Sequence, residues 1–170
     1  MIQIRPVSDL RNKFSEVEKI VEGGEPVYLT KNGYGVMVVL SLEEYAKLTE
    51  RTELRNEFQK LIQISKIQLH ANPDAEQVIV VKSAKNRLRY CICTEANREA
   101  EEEAFVQELI QENDVELRNL VCMWNGNSLE IPSMHFRKRL LEICPENADT
   151  IMIFQGEYDS NFRTIQSTMP

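Results

Sequence analysis

The chain has 170 residues, 42% hydrophobic and 28% charged. That is an ordinary globular composition, with room for one domain or two small ones. A net charge of −7 excludes diffuse, charge-driven binding to nucleic acid and leaves only a local basic patch for that purpose.

No apolar run approaches the roughly 20 residues that span a bilayer, and the amino terminus lacks the apolar core of a signal peptide. The expectation is a cytoplasmic protein with no membrane partner. Residues 2–5 read as a short strand. Ser8 stands where an N-cap belongs. Leu10, Phe14, Val17 and Val21 recur at helical spacing, which predicts one helix to about Glu22 with those four on its buried stripe. Gly23-Gly24 ends it. Val27-Tyr28-Leu29-Thr30 predicts a strand, Lys31-Asn32-Gly33 a type I′ hairpin turn, and Gly35 to Leu40 the return strand. Ser41-Leu42-Glu43-Glu44 fits a capping box. The helix it opens meets no stop before Asn72-Pro73, a length of about 28 residues or ~42 Å. Leu54, Phe58, Leu61, Ile62 and Leu69 are spaced for burial on it. Thr49 and Thr52 lower helix propensity, which places a break there and a domain boundary between residues 1–50 and 51–170.

Three stretches of this first segment carry a family pattern: Ile4-Arg5-Pro6-Val7-Ser8-Asp9-Leu10-Arg11-Asn12-Lys13-Phe14, then Glu22-Gly23-Gly24-Glu25-Pro26-Val27-Tyr28-Leu29-Thr30-Lys31-Asn32-Gly33, then Val36 to Tyr45. Together they resemble the DNA-binding half of the Phd/YefM, or prevent-host-death, antitoxins. The resemblance implies an α+β module that dimerises through its hairpins and sheets and sets its first segment and helix against operator DNA. The matching positions are Arg5, Ser8, Arg11, Asn12 and Lys13, with Lys31 and Asn32 from the turn. Arg11 and Lys13 would reach phosphate or groove edges, and Ser8 with the first-turn amides would hold phosphate. Size argues the same way: one helix on a few strands buries too little to stand alone, so a homodimer or a higher even oligomer is expected.

From Gln77 the pattern changes. Val78-Ile79-Val80-Val81 predicts a buried strand, Lys85-Asn86 a turn, and Leu88 to Cys93 a second strand. Residues 97–113 predict a helix with the stripe Ala100, Ala104 and Leu109. Leu120 to Trp124 is a third strand. Ser133 opens a helix through Phe136, Leu140, Leu141 and Ile143, which Pro145 ends. Ile151 to Phe154 is a fourth strand, and Arg163 to Thr168 a last short helix. This order predicts an α/β sandwich around a mostly parallel sheet. The four cysteines, Cys91, Cys93, Cys122 and Cys144, form no CxxC, and the chain has two histidines. A zinc site is therefore poorly supported and reduced buried thiols are expected; Cys91 and Cys93 are expected to face opposite sides of their strand.

The segment Pro132-Ser133-Met134-His135-Phe136-Arg137-Lys138-Arg139-Leu140-Leu141-Glu142 resembles the Pro-Cys-x-x-Cys-Arg-x-x-Leu-x-Glu segment of the cytidine deaminase fold. Ile151-Met152-Ile153-Phe154, Gly156-Glu157-Tyr158 and the closing Met169-Pro170 also stand where that fold has them. The resemblance spans roughly residues 54–170 and implies a three-layer α/β domain. It departs from the family at the zinc ligands. Ser133 and Phe136 occupy the two thiolate positions, and Ala100-Glu101-Glu102 replaces the His/Cys-x-Glu segment that supplies the third ligand. Glu102 keeps its carboxylate, and His135 is a lone nitrogen, read as structural. The expectations are no metal, no cofactor and no enzyme: a fold without its chemistry. A pocket of Glu102, Trp124, Asn125, Asn127, Ser133 and Arg137 remains a candidate, because these follow the third strand and open the next helix, where α/β sheets place ligands.

Two functional readings follow. One is an antitoxin-like regulator that binds operator DNA as a dimer and neutralises a protein toxin through its folded second domain. The other is a ligand-sensing regulator whose second domain binds a nucleotide-like small molecule.

Overall fold

The computed structural model describes residues 2–155 and 160–170; Gly156-Glu157-Tyr158 lies outside them. The chain divides into two compact units, Met1–Arg55 and Asn56–Pro170.

In the first unit, strand β1 (Gln3–Pro6) runs parallel to β2 (Val27–Lys31), which pairs antiparallel with β3 (Tyr34–Val39). The β2–β3 turn has Asn32 at φ 53° and Gly33 at φ 82°, the two positive values that a type I′ turn demands. The expected single helix is two: α1 (Asp9–Asn12) and α2 (Phe14–Glu22), separated at Lys13 with φ −137° and ψ 37°. The break changes the buried stripe. Val17 and Val21 pack with Val27 and Leu29, and Leu10 lies at the margin, whereas Phe14 stays 54% exposed. Gly24, at φ 82°, closes α2. Ser41 Oγ accepts the Glu44 amide at 3.1 Å, the hydroxyl half of the capping box that opens α3 (Leu42–Ala71). No break occurs at the threonines. Thr49 and Thr52 donate their hydroxyls to the carbonyls of Tyr45 (2.9 Å) and Leu48 (2.8 Å), so the helix's own backbone satisfies them. The boundary between the units falls within this helix.

The second unit is built on a six-stranded sheet of order β5-β4-β6-β8-β9, with β7 also paired to β6. The strands are β4 (Gln77–Ser83), β5 (Leu88–Cys93), β6 (Leu117–Trp124), β7 (Leu129–Glu130), β8 (Ile151–Gln155) and β9 (Ser160–Thr164); the helices are α4 (Arg98–Gln111) and α5 (Met134–Ile143). The sheet is not mostly parallel. Within this sheet, among the described residues, only β6 and β8 pair in parallel, while β4–β5, β4–β6, β6–β7 and β8–β9 are antiparallel. The short 84–87 link, with Asn86 at φ 64°, permits only a hairpin, whereas the parallel β6–β8 pair requires the crossover that α5 supplies. Arg163 and Thr164 belong to β9 rather than to a helix, and only Gln166–Thr168 turn helically.

β4 is buried on both faces. On one, Ile79 and Val81 join Cys91, Cys93, Leu120 and Cys122 under Phe105, Val106 and Leu109 of α4 and Phe136 and Leu140 of α5. The α4 stripe thus runs through Glu102, Phe105, Val106 and Leu109, while Ala100 and Ala104 are exposed. On the other face Lys82 meets Glu57 of α3 in an ion pair, and Asn119 donates to the same carboxylate at 2.8 Å. The Lys82 hydrogen bond holds Glu57 below its ordinary carboxylate range. Phe58 of α3 packs on Phe162 with ring centroids 5.2 Å apart. The result is three layers, α3, sheet, and α4 with α5. Among the described residues no helix is long and apolar enough to cross a membrane.

Asn147, fully buried in the 3-10 turn Pro145–Asp149, accepts the Leu117 amide at 2.8 Å and donates to the carbonyls of Val115 and Leu140, both at 2.9 Å. One side chain therefore ties the start of β6 to the end of α5. Asn147→Ala removes three hydrogen bonds and leaves the buried Leu117 amide without its partner, each bond worth roughly 1 kcal/mol. The urea midpoint of the second unit should fall by an amount equivalent to about 3 kcal/mol with an unchanged denaturant slope.

Candidate functional site

An open pocket of ≈ 600 Å³ sits where α4 and α5 begin, lined by the 95–100 segment together with Glu102 and Ser133. Its floor is set by capping. Ser133, the N-cap of α5, accepts the Phe136 amide at 3.0 Å and donates its own hydrogen to Glu102 Oε2 at 2.7 Å. Thr94, at the end of β5, donates its amide (2.6 Å) and its hydroxyl (3.2 Å) to the Glu101 carboxylate. That bond fixes the link into α4 and so the angle at which Glu102 enters.

Glu102 is fully buried, yet its Oε1 has no hydrogen-bond partner among the described residues. Leaving a buried acceptor unpaired costs about 1–3 kcal/mol. Burial pushes its carboxyl above the ordinary range, against the pull of Ser133, Arg98, His135 and Gln77. Gln77, itself buried, faces the same carboxyl, but its Nε2 completes no hydrogen bond of normal geometry. At the rim Arg98 pairs with Glu76 and lies over the Trp124 ring, 4.4 Å from its centroid. Behind the pocket Cys91 and Cys93 do not diverge: their sulfurs are 3.5 Å apart, because residues two apart on a strand share a face. All four cysteines are buried free thiols, and the hydrogen bond between Cys91 and Cys93, with burial, raises the Cys91 thiol.

The expected ligand residues are only partly brought together. Glu102 and Ser133 share the pocket. Trp124 contributes through the Arg98 stack. Asn125 and Asn127 lie with Gly126 in the β6–β7 turn and line a separate hollow with Lys66, Leu69 and His70. Arg137 is buried, donates to the carbonyl of Pro132 at 3.0 Å and bonds Thr168; it fastens the carboxy-terminal turn. Sequence reasoning missed Arg98, Glu95 and Gln77. Their role comes from the β5–α4 link folding over the sheet end, which no spacing reveals.

In the first unit Arg11, Asn12, Lys13, Lys31 and Asn32 are exposed, with Arg11 Nε donating to Asn12 Oδ1 at 3.3 Å. Ser8 precedes α1 without a side-chain cap bond. Arg5 is half-buried and already paired with Asp9 (3.8 Å) and Glu16 (3.5 Å). The opposite, outer face of the sheet is apolar. Ile4 and Tyr28 are register partners, as are Tyr28 and Val38, and all three are exposed, as are Leu42, Tyr45 and Leu48 at the start of α3.

Residues 2–61 match the model of the antitoxin Phd_YefM family of type II toxin–antitoxin systems. This Phd/YefM match spans the first unit and continues along α3 to Leu61. The rest of the fold is that of the cytidine deaminases. The cytidine deaminase of Mycobacterium leprae aligns over 66% of this chain and 97% of its own, with TM-score 0.52 and 12% identity. That of Burkholderia pseudomallei aligns over 66% and 95%, with TM-score 0.50 and 10% identity. No curated protein matches the chain.

These neighbours overturn the expectation that the chain is no enzyme, since its second unit has the fold of enzymes. At such identity the likeness shows the fold alone and assigns no reaction. The residues present do not fit the zinc that this fold family implies. Ser133 keeps its proton in a bond to Glu102, Phe136 has no lone pair, Ala100 points a methyl to solvent, and no three His, Cys, Asp or Glu side chains are grouped to hold a metal among the described residues.

The raised Glu102 carboxyl links stability to pH. The folded state holds that proton more tightly than the unfolded one, so Glu102 lowers stability as pH rises from the unperturbed value near 4.5 through the folded value. Glu102→Gln, which keeps an oxygen for Ser133, should raise the melting temperature at pH 7.5, and the gain should shrink towards pH 4 in melts recorded across that range.

Proposed function

We propose that the chain is a dimeric, operator-binding regulator of a toxin–antitoxin pair, with the folded second unit in the position where the Phd/YefM resemblance implies a toxin-wrapping tail. The observation that carries this reading is the exposed apolar row Ile4, Tyr28 and Val38 with its helical flank Leu42, Tyr45 and Leu48. An apolar patch of this kind, on a unit too small to hold a core of its own size, marks an interface. A second copy applied face to face covers it and sets two α1 segments in one particle. The Phd/YefM family match supports the toxin–antitoxin role. Arg11, Lys13 and Lys31 supply the cations and remain free of carboxylate partners among the described residues.

The parent protein should sediment as a dimer at micromolar concentration, and Tyr28→Asp with Val38→Asp should raise the dissociation constant at least 100-fold, because each aspartate is buried unpaired. A parent that sediments as a stable monomer would exclude the dimer.

Operator binding should rely on phosphate contacts. Arg11→Ala with Lys13→Ala should weaken binding to every DNA sequence about equally and reduce the slope of log K against log salt by about 0.9 for each phosphate that is no longer neutralised. Filter binding or anisotropy at several salt concentrations measures both; unchanged affinity would place the DNA on another face.

A second reading is favoured by the pocket at Glu102: the second unit senses a small molecule. Glu102 and Ser133 line an open pocket of ≈ 600 Å³, a volume within the ordinary size range for small-ligand sites.

A further inference from the structure

Strand β5 is an open edge of the second sheet: among the described residues it pairs with β4 alone. The Ser83 amide bonds the Arg87 carbonyl at 2.9 Å. By the alternation of an antiparallel ladder, Arg87, Arg89 and Cys91 direct their backbone groups to β4, and Leu88, Tyr90 and Ile92 direct theirs outward. Proteins blunt such an edge with proline, a bulge or a free charge. β5 contains no proline, and its register with β4 runs without a shift from Leu88 to Cys93. Its cations are held internally: Arg87 by Asp114 at 3.1 Å, Arg89 by Glu112 and Glu108, and Lys85 on the Asn113 carbonyl.

The same edge is apolar on its α3 side. Leu88 and Tyr90 are each 49% exposed, on the face opposite Cys91 and Cys93. Beside Leu88 an open groove of ≈ 970 Å³ follows α3, with Gln59, Lys60, Gln63 and Ile64 in its wall, and Ile67 is exposed just beyond. Lys60 is the one charged residue of that lining and has no ion-pair partner among the described residues. Glu57, a turn earlier, is taken up by Lys82 and Asn119. A second copy of the chain suits the edge poorly. Two β5 strands paired edge to edge set two α4 helices side by side on one face of the joined sheet. Each α4 carries Glu99, Glu101, Glu103 and Glu108 against Arg98, and like charges so placed oppose association.

We propose that the β5 edge and the α3 groove take an extended segment of the toxin protein as an added strand, with apolar side chains at alternate positions over Leu88 and Tyr90 and a carboxylate at Lys60. In strand addition the main-chain hydrogen bonds give affinity and the side-chain pockets select the sequence. The inference rests on the toxin–antitoxin reading and adds the surface used and the chemistry of the segment it takes.

The probe is a capped heptapeptide, acetyl-Glu-Thr-Val-Thr-Val-Thr-Val-amide, titrated into the isotope-labelled full chain and followed by NMR. Strand alternation puts its Glu and Val side chains on one face. Shifts should fall on β5 and on the second half of α3. Exchanging the Glu for Lys should weaken binding at least fivefold. N-methylating the Val residues, which removes the donors that face the edge, should weaken it at least tenfold. Lys60→Glu should invert the preference between the Glu and Lys peptides, with melting curves confirming that the variant is folded. No binding, equal binding of the N-methylated peptide, or an unchanged preference in folded Lys60→Glu overturns the proposal. The toxin reading is tested apart from the edge, by purifying the full chain with the product of the neighbouring reading frame. A complex that Leu88→Lys with Tyr90→Lys weakens at least 100-fold supports the proposal. A complex that the folded double variant leaves intact overturns the edge and keeps the toxin. Peptide binding without any complex overturns the toxin as occupant and leaves a strand-binding edge. A homodimer that dissociates in the double variant puts a second copy on the edge and overturns the proposal.

Discussion

The constraint on which the second unit depends is the burial of β4 on both faces. Val78 to Val81 are entirely inaccessible, so an apolar layer must cover each side of the sheet. The α4 and α5 helices cover one, and the carboxy-terminal half of α3 covers the other through Phe58, Leu61 and Ser65. Covering that second face is why α3 runs to Ala71. Its amino-terminal half belongs to the first unit, where it carries Leu42, Tyr45 and Leu48. A single helix thus serves two units, and its continuity at Thr49 and Thr52 costs little because each hydroxyl bonds the carbonyl four residues back.

The same layering creates the pocket. Both α4 and α5 begin at one end of the sheet, and their first residues bring Glu102 against Ser133. Capping an α-helix with serine is worth about 1 kcal/mol, and here the cap's remaining hydrogen stabilises one oxygen of a buried carboxylate. The other oxygen stays unpaired. Proteins rarely leave a buried acceptor without a partner, and the buried Gln77 side chain, facing the same carboxyl, partly offsets the cost.

Much of this was legible in the sequence, for identifiable reasons. The hairpin at Asn32-Gly33, the cap at Ser41, the run Val78 to Val81 and the Ser133 helix start all carry local signals, and local geometry obeyed them. The failures are non-local. The periodicity through Leu10, Phe14 and Val17 concealed a break at Lys13, whose backbone leaves the helical region at φ −137° and ψ 37°. Of the expected α4 stripe Leu109 is buried but Ala100 and Ala104 are not; a charged residue is a poor guess for a core position, yet Glu102 faces inward beside Phe105 and Val106. Strand order is set by which neighbours β4 accepts, which alternation along one strand cannot tell. The divergence assigned to Cys91 and Cys93 ignored the twofold period of a strand. Of the site itself, Glu102 and Ser133 could be found, but the charge of the pocket could not, because Glu95 and Arg98 reach it only through the fold of the β5–α4 link.

Net charge and local charge also constrain the DNA reading. With −7 overall, a protomer has no long-range attraction to nucleic acid. The exposed cations near α1 are few, and Arg5 is partly neutralised by Asp9 and Glu16. Two or three phosphate contacts per protomer supply little affinity at physiological salt, since each contributes only its own counterion release. Dimerisation doubles the contacts and makes the second set effectively intramolecular, which raises affinity far beyond a factor of two. The apolar face of the sheet and the basic turn of α1 are therefore coupled on this reading: whatever weakens the dimer weakens operator binding more steeply than the loss of a single cation does, and the outer sheet residues, though remote from DNA, govern it.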